Sequence, residues 1–144
     1  MSKLISNSVV VVIGIGRLGA SIARQLSQQG ENVLCIDSDQ QAFNKLDDFS
    51  GFTEVGDATD LEFLSELGIE NAKAIIITTE NDDDTNIYLG HVCFLIFNCL
   101  RVFIRLADSD KSKLLNDTPI QAIYPFLLSL NNFMERFEGD DLWL

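Results

Sequence analysis

Apolar residues along this chain recur in two rhythms. Short unbroken runs rich in Val and Ile alternate with stretches in which apolar residues return every three or four positions. Residues 9–13 (VVVVI), closed by Gly14, form the first run. A continuous β-branched run predicts a central parallel strand buried on both faces. Leu18, Ile22 and Leu26 then fall on one stripe of a helix, with Arg17, Ser21, Arg24, Gln25 and Gln28 opposite. The pattern stops at Gly30, a suitable C-terminal cap. A second strand is predicted over 33–36, ending at Asp37, then a short helix over 40–46 and a weaker strand over 52–55. Thr59-Asp60-Leu61-Glu62 reads as a capping box, the Thr59 hydroxyl and the Glu62 carboxylate each serving the other's amide. The helix it starts runs through Leu67 to Gly68. Further strands are predicted over 74–78, 102–106 and 121–124, the last closed by Pro125. Helices are predicted over 83–98, 109–115 and 126–137.

Strict β-α alternation with short links demands a parallel sheet. The predicted class is α/β, a Rossmann-like doubly wound parallel six-stranded sheet with helices on both faces, in one domain over residues 1–144. No internal repeat, low-complexity segment or linker interrupts it. The ends, 1–7 and 138–144, are expected to fray.

Charge narrows the function. Ten Lys and Arg stand against 22 Asp and Glu, a formal net charge of −12. Such a surface repels phosphate backbones and anionic lipid heads, which argues against nucleic acid and membrane surfaces as partners. The acidic run 80–84 precedes a predicted helix, where carboxylates complement the helix dipole. Asp82, Asp83 and Asp84 therefore read as a solvated helix start rather than a metal site. Cys35, Cys93 and Cys99 show no CxxC spacing and read as buried small apolar residues in a reducing compartment. A single histidine, His91, leaves no His-built metal site to propose. Residues 1–8 lack the form of a signal peptide. The longest uncharged stretch, 85–100, falls short of the ~20 apolar residues of a membrane helix and is expected to be a buried helix.

The candidate chemistry lies at the first strand–helix junction. Gly14-Ile15-Gly16-Arg17-Leu18-Gly19 is a GxGxxG fingerprint placed directly after a buried strand and at a helix start. Gly14 permits the tight turn, Gly16 lets a pyrophosphate approach the backbone, and Gly19 lets the helix pack on the strand. The helix N-terminus offers amides and partial positive charge to phosphates. Asp37 lies eighteen residues past Gly19 at the end of the second strand, with Ser38 beside it, where an acid hydrogen-bonds ribose hydroxyls and disfavours a 2′-phosphate. Arg17 is either a solvated first-turn residue or a phosphate contact. The Gly56-Asp57-Ala58 loop should lie at an adenine edge, with Asp57 either accepting from the adenine amino group or serving the turn before Thr59. Thr78, Thr79 and Asn81 sit on the same rim. Arg105 is a lone cation in an apolar strand and needs a partner, either an acid of the chain or a ligand phosphate.

The last helix carries a second signal. Phe126, Leu127, Leu130, Phe133, Met134 and Phe137 recur at helical spacing on a terminal element with little left to cover. Such a stripe marks either packing on the sheet or a contact between subunits.

These residues together resemble the TrkA-N or RCK domain (also called KTN) of potassium transport systems. The carriers are VVVIGIGRLGASIARQL, VLCIDSDQQ, EVGDATDLEFLSELGIENAKAIIITT, TNIY, VFIRLAD and the closing IYP, so the resemblance spans about 8–137. It implies regulation rather than catalysis: a cytoplasmic domain that binds NAD(H) or AMP, ADP or ATP and gates a potassium channel, transporter or antiporter. It places phosphates at Gly14, Gly16, Arg17 and Gly19, ribose at Asp37, and the adenine side at Asp57 and Ala58. Thr78, Thr79 and Arg105 match family positions. It implies a homodimer or higher homo-oligomer joined through the last helix as a crossover, with a membrane-embedded potassium transporter or channel as partner. The segment 90–100 (GHVCFLIFNCL) is more apolar than the usual family helix, and residues 1–144 are expected to lack the family's smaller second lobe. The chain is thus expected to be a stand-alone regulatory subunit or, given the apolar end Leu142-Trp143-Leu144, an excised piece of a larger transporter. Two other readings are a small NAD-dependent oxidoreductase, which would lack a substrate domain, and an interaction module with a vestigial nucleotide site.

Overall fold

The computed structural model describes residues 4–80 and 82–139. Asn81 and Leu142-Trp143-Leu144 lie outside the described residues. Six strands alternate with helical segments: β1 (Val9–Ile13), β2 (Asn32–Asp37), β3 (Phe52–Val55), β4 (Ala74–Ile77), β5 (Val102–Arg105) and β6 (Gln121–Ile123). They form one sheet in the order β3-β2-β1-β4-β5-β6, and every adjacent pair is parallel. The chain winds outward from β1 in both directions, so the order reverses between β1 and β4. That reversal opens a crevice beyond the carboxyl ends of the strands.

Strand periodicity divides the core by parity. Val11, Ile13, Leu34, Ile36, Ile75, Ile77 and Ile104 face one side, where α2 (Leu61–Leu67) and α3 (Asp83–His91) bring Leu64, Leu67 and Leu89. Val10, Val12, Val33, Cys35, Ala74 and Ile76 face the other, against α1 (Arg17–Gln28). The predicted α1 stripe is displaced. Gly19, Ala20 and Ala23 are its buried residues, while Leu18, Ile22 and Leu26 flank them half-buried. Close approach of the helix to the glycine loop requires small residues on the contact line, so the large ones are pushed to its edges.

Other expectations are corrected. The cap of α2 is Asp60, whose carboxylate accepts from the Glu62 amide, and Thr59 instead turns back to Asp57. Asp39, Asp82 and Asp108 cap other helical segments in the same way, so part of the chain's acidity serves its helix starts. The connections Gln40–Lys45 and Ser109–Leu115 are 3₁₀ turns. The predicted helix over 83–98 ends as α-helix at His91 and continues as a π-helical turn over Val92–Ile96. That segment is not wholly buried, since Leu95, Ile96 and Leu100 are exposed. Ile5 is buried and its amide donates to the Leu67 carbonyl (3.0 Å), so this part of the N-terminal segment is tied down rather than frayed. Pro125 opens α4 (Pro125–Gly139), a first-turn position where its missing amide costs nothing. No described helix is long and apolar enough to cross a membrane.

Candidate functional site

The crevice at the strand-order reversal is lined by the glycine loop, by the ends of β2 and β3, and by the start of α3. Gly14 sits at φ +89°, a left-handed conformation that L side chains rarely adopt, and the amide of Thr79 would lie 2.6 Å from any Cβ there. A Cβ on Gly19 would meet the Gly14 carbonyl oxygen at 2.1 Å and Thr78 Oγ1 at 2.6 Å. The loop is therefore clamped between β4 and α1, and both glycines are steric necessities of the turn itself.

Thr78 is buried beneath this loop, where its hydroxyl donates to the Gly14 carbonyl oxygen (2.8 Å). It acts as a strut and does not line the crevice. Thr79 does line it, and its hydroxyl bonds the Asn86 side-chain oxygen. Asn86 is fully buried and donates to the carbonyls of Thr79 and Arg105, both at 3.0 Å, tying the ends of β4 and β5 together. The sequence reading missed Asn86. A buried amide with two backbone partners leaves no spacing signal.

Asp37 stands at the end of β2 with both oxygens engaged. Oδ2 accepts from the Ile15 amide (2.8 Å) and Oδ1 from the Asp39 amide (2.9 Å). Each oxygen keeps a further lone pair for a hydroxyl. Ile15, Gly16, Ser38, Asp57 and Ala58 join Gly14 and Asp37 in the crevice wall. Asp57 Oδ1 accepts from the Thr59 hydroxyl (2.6 Å) and amide (2.9 Å), and the Thr59 hydroxyl first, then its amide, hold the Asp57 carboxyl below its usual range. Asp57 thus serves the turn and faces the crevice together.

Arg17, Leu18, Gly19 and Arg105 do not line the crevice. Arg17 is exposed at the first turn of α1, and its backbone amide donates to Glu80. Arg105 is half-buried on β5, on the same face of the strand as Phe103. Lys45 and Glu80, neither anticipated, do line the crevice. Lys45 Nζ donates to the Ile15 carbonyl (3.3 Å). Glu80 Oε1 accepts from the Arg17 amide (3.0 Å). Their signal was positional: Glu80 follows directly on Thr78-Thr79 at the carboxyl end of β4.

In the acidic run at 80–84, Glu80, Asp82 and Asp84 are exposed as expected and Asp83 is not. Asp83 is only 7% exposed, and its two oxygens accept from the amides of Ala107 (2.7 Å) and Asp108 (2.9 Å). Asp82 caps α3 through the Thr85 amide (2.6 Å), which leads the effects that hold its carboxyl below the usual range. Asp84 pairs with Lys111 at 3.2 Å. Each acid has its own partner. The three cysteines are free and buried. Burial pushes the Cys35 and Cys93 thiols up to about 12 and Cys99 to about 11.

With this geometry in place, comparison with known proteins is specific. The TrkA-N domain pattern matches residues 10–125. The chain belongs to the TrkA-N domain family. It is 33% identical over 138 residues to the Trk system potassium uptake protein TrkA of Streptomyces coelicolor, covering 93% of this chain and 61% of that protein. A TrkA homolog of Pyrococcus horikoshii is 30% identical over 109 residues, covering 75% of this chain and 47% of that protein. The chain thus spans about half to three-fifths of these relatives' length. Among solved structures, the GsuK channel bound to NAD superposes with a TM-score of 0.78 at 25% identity, over 93% of this chain and 24% of that one.

Proposed function

We propose that this domain is a nucleotide-sensing regulatory module that binds NAD(H) or an adenine nucleotide and thereby gates a potassium channel, transporter or antiporter from the cytoplasmic side. The observation that carries the reading is the crevice itself: a glycine turn at the start of α1 and a carboxylate ending β2, facing each other at the strand-order reversal. In this reading the Gly14–Gly16 loop and the α1 N-terminus take the phosphates, Asp37 and Ser38 the ribose, and Asp57 and Ala58 the adenine side. The family membership and the potassium-uptake relatives support a regulatory role over catalysis.

We further infer that the domain works as a homodimer or higher homo-oligomer through α4. No residue of α4 is buried, and Phe126, Leu130, Phe133 and Phe137 are exposed along it.

The test is thermal melting of the 144-residue chain with NAD, NADH, AMP, ADP, ATP and NADPH at equal excess. A ligand bound only to the native state raises stability by mass action, by about 2.7 kcal/mol at a hundredfold excess over its dissociation constant. A selective rise with one of these ligands, lost in Asp37→Ala, is the expected outcome. No rise with any of them refutes the sensor reading and leaves an interaction module.

A further inference from the structure

Among the described residues, Glu80 is the one carboxylate in the crevice wall that reaches the first turn of α1. Its Oε1 accepts from the Arg17 amide at 3.0 Å. The same side chain lies flat against Gly16: a Cβ built there would meet Glu80 Oε1 at 1.9 Å, Cδ at 2.4 Å and Cγ at 2.9 Å. The space made by the missing Gly16 side chain is therefore filled by the chain's own carboxylate. It is an anion on an amide of a helix N-terminus, which is the arrangement a ligand phosphate adopts at such a loop.

We propose that Glu80 is a built-in competitor for the ligand phosphate, and so a determinant of which ligands the crevice prefers. The inference rests on the nucleotide reading above and adds the regulation of that same site. A phosphate taking the Arg17 amide displaces the Glu80 carboxylate, since two anions cannot share one donor at that distance. Glu80 exchanges its bond for solvent, and the loop after β4 is left tied to the glycine loop through Thr78 on Gly14 and no longer through Glu80 on Arg17. Ligand entry is thereby coupled to the element that carries Thr79 and the Asp82 cap. A ligand without phosphate, such as adenosine, leaves Glu80 in place and escapes the penalty. The remaining charges favour this role: Asp37, Asp39 and Asp57 also line the crevice, against Lys45, so removing one carboxylate from the phosphate end eases repulsion there.

The experiment uses the 144-residue chain as wild type, Glu80→Gln and Glu80→Ala. ADP and adenosine are titrated into each and followed by backbone amide NMR shifts, which also confirm that each variant is folded. The carboxylate holds an exposed site at a helix N-terminus, so Glu80→Ala is expected to tighten ADP by about three- to tenfold. Glu80→Gln, which keeps the shape but not the charge, is expected to fall between wild type and Glu80→Ala. Adenosine affinity is expected to stay within about twofold. Unchanged or weaker ADP binding in Glu80→Ala, with wild type binding ADP, overturns the proposal while leaving the nucleotide reading intact. Equal tightening of ADP and adenosine also overturns it, because the effect is then not at the phosphate. If no protein binds either ligand, the nucleotide reading itself fails, and the proposal with it.

Discussion

The Asp57–Thr59 turn illustrates how a single residue's chemistry sets a testable property. The Thr59 hydroxyl and amide both donate to Asp57 Oδ1 and favour its ionised form. The Asp57 carboxyl is held below its usual value, with the hydroxyl as the leading cause. A depressed carboxylate contributes stability above its unfolded value and loses it as pH falls through the folded one. The turn should thus be intact above the ordinary aspartate range, near pH 4, and release on acidification below it. Thr59→Val removes the leading donor while keeping the amide. Carboxyl NMR titration should then show the Asp57 midpoint moved upward toward the ordinary aspartate value. An unmoved midpoint would show that the hydroxyl does not hold the charge. The positions of Gly14, Gly16 and Asp37 at the crevice were legible in the sequence because they follow from local backbone geometry and fixed spacing. Glu80 was not. Its partner lies 63 residues away, and the acidic run around it admitted a simpler account through the helix dipole.

At the scale of elements, β1, β2 and β4 were readable because each is a short apolar run buried almost throughout, while β3 and β6 at the sheet edges are more exposed and gave weaker patterns. What the pattern could not show is which acid serves which backbone. Asp83 is one of three consecutive aspartates, and only the fold distinguishes it from its neighbours. It joins the start of α3 to the loop after β5, accepting from two amides in a nearly buried setting. Asp83→Ala removes the charged acceptor of both amides, and a hydrogen bond to a charged group contributes on the order of 1.5–3 kcal/mol. Urea denaturation should register a loss of that size. Asp84→Ala, by contrast, removes an exposed pair with Lys111 and should leave the midpoint nearly unchanged, because solvent screens such pairs. Equal effects of the two substitutions would refute the bridging role of Asp83. The π-turn at Val92–Ile96 was likewise hidden. An apolar run has no periodicity fine enough to tell one extra residue per turn from a continuing α-helix.

At the scale of the whole molecule, α4 is the element that packing among the described residues does not explain. An isolated helix of about 12–15 residues is marginal in water, and helices in proteins are held chiefly by packing an apolar face. Yet α4 has fifteen residues, none of them buried. Phe126, Leu130, Phe133 and Phe137 line one stripe, Phe133 and Phe137 stack with ring centroids 5.7 Å apart, and Arg136 turns instead to Asn132. Aromatic and Met side chains concentrated this way are characteristic of the desolvated centre of an interface. In the proposed homodimer a second copy of the chain brings the same stripe to both helices at once, since a two-fold contact sets a patch against itself. Phe133→Asp places an unpaired charge at the middle of that contact, where desolvation opposes association. Light scattering is expected to give twice the chain mass for the wild type and a single chain mass for Phe133→Asp. Circular dichroism should show helix content falling in the variant as α4 loses its support. The same mass for both proteins would remove α4 from the interface. A monomeric variant with undiminished helix content would mean that α4 holds its fold without a partner, against the argument from helix length.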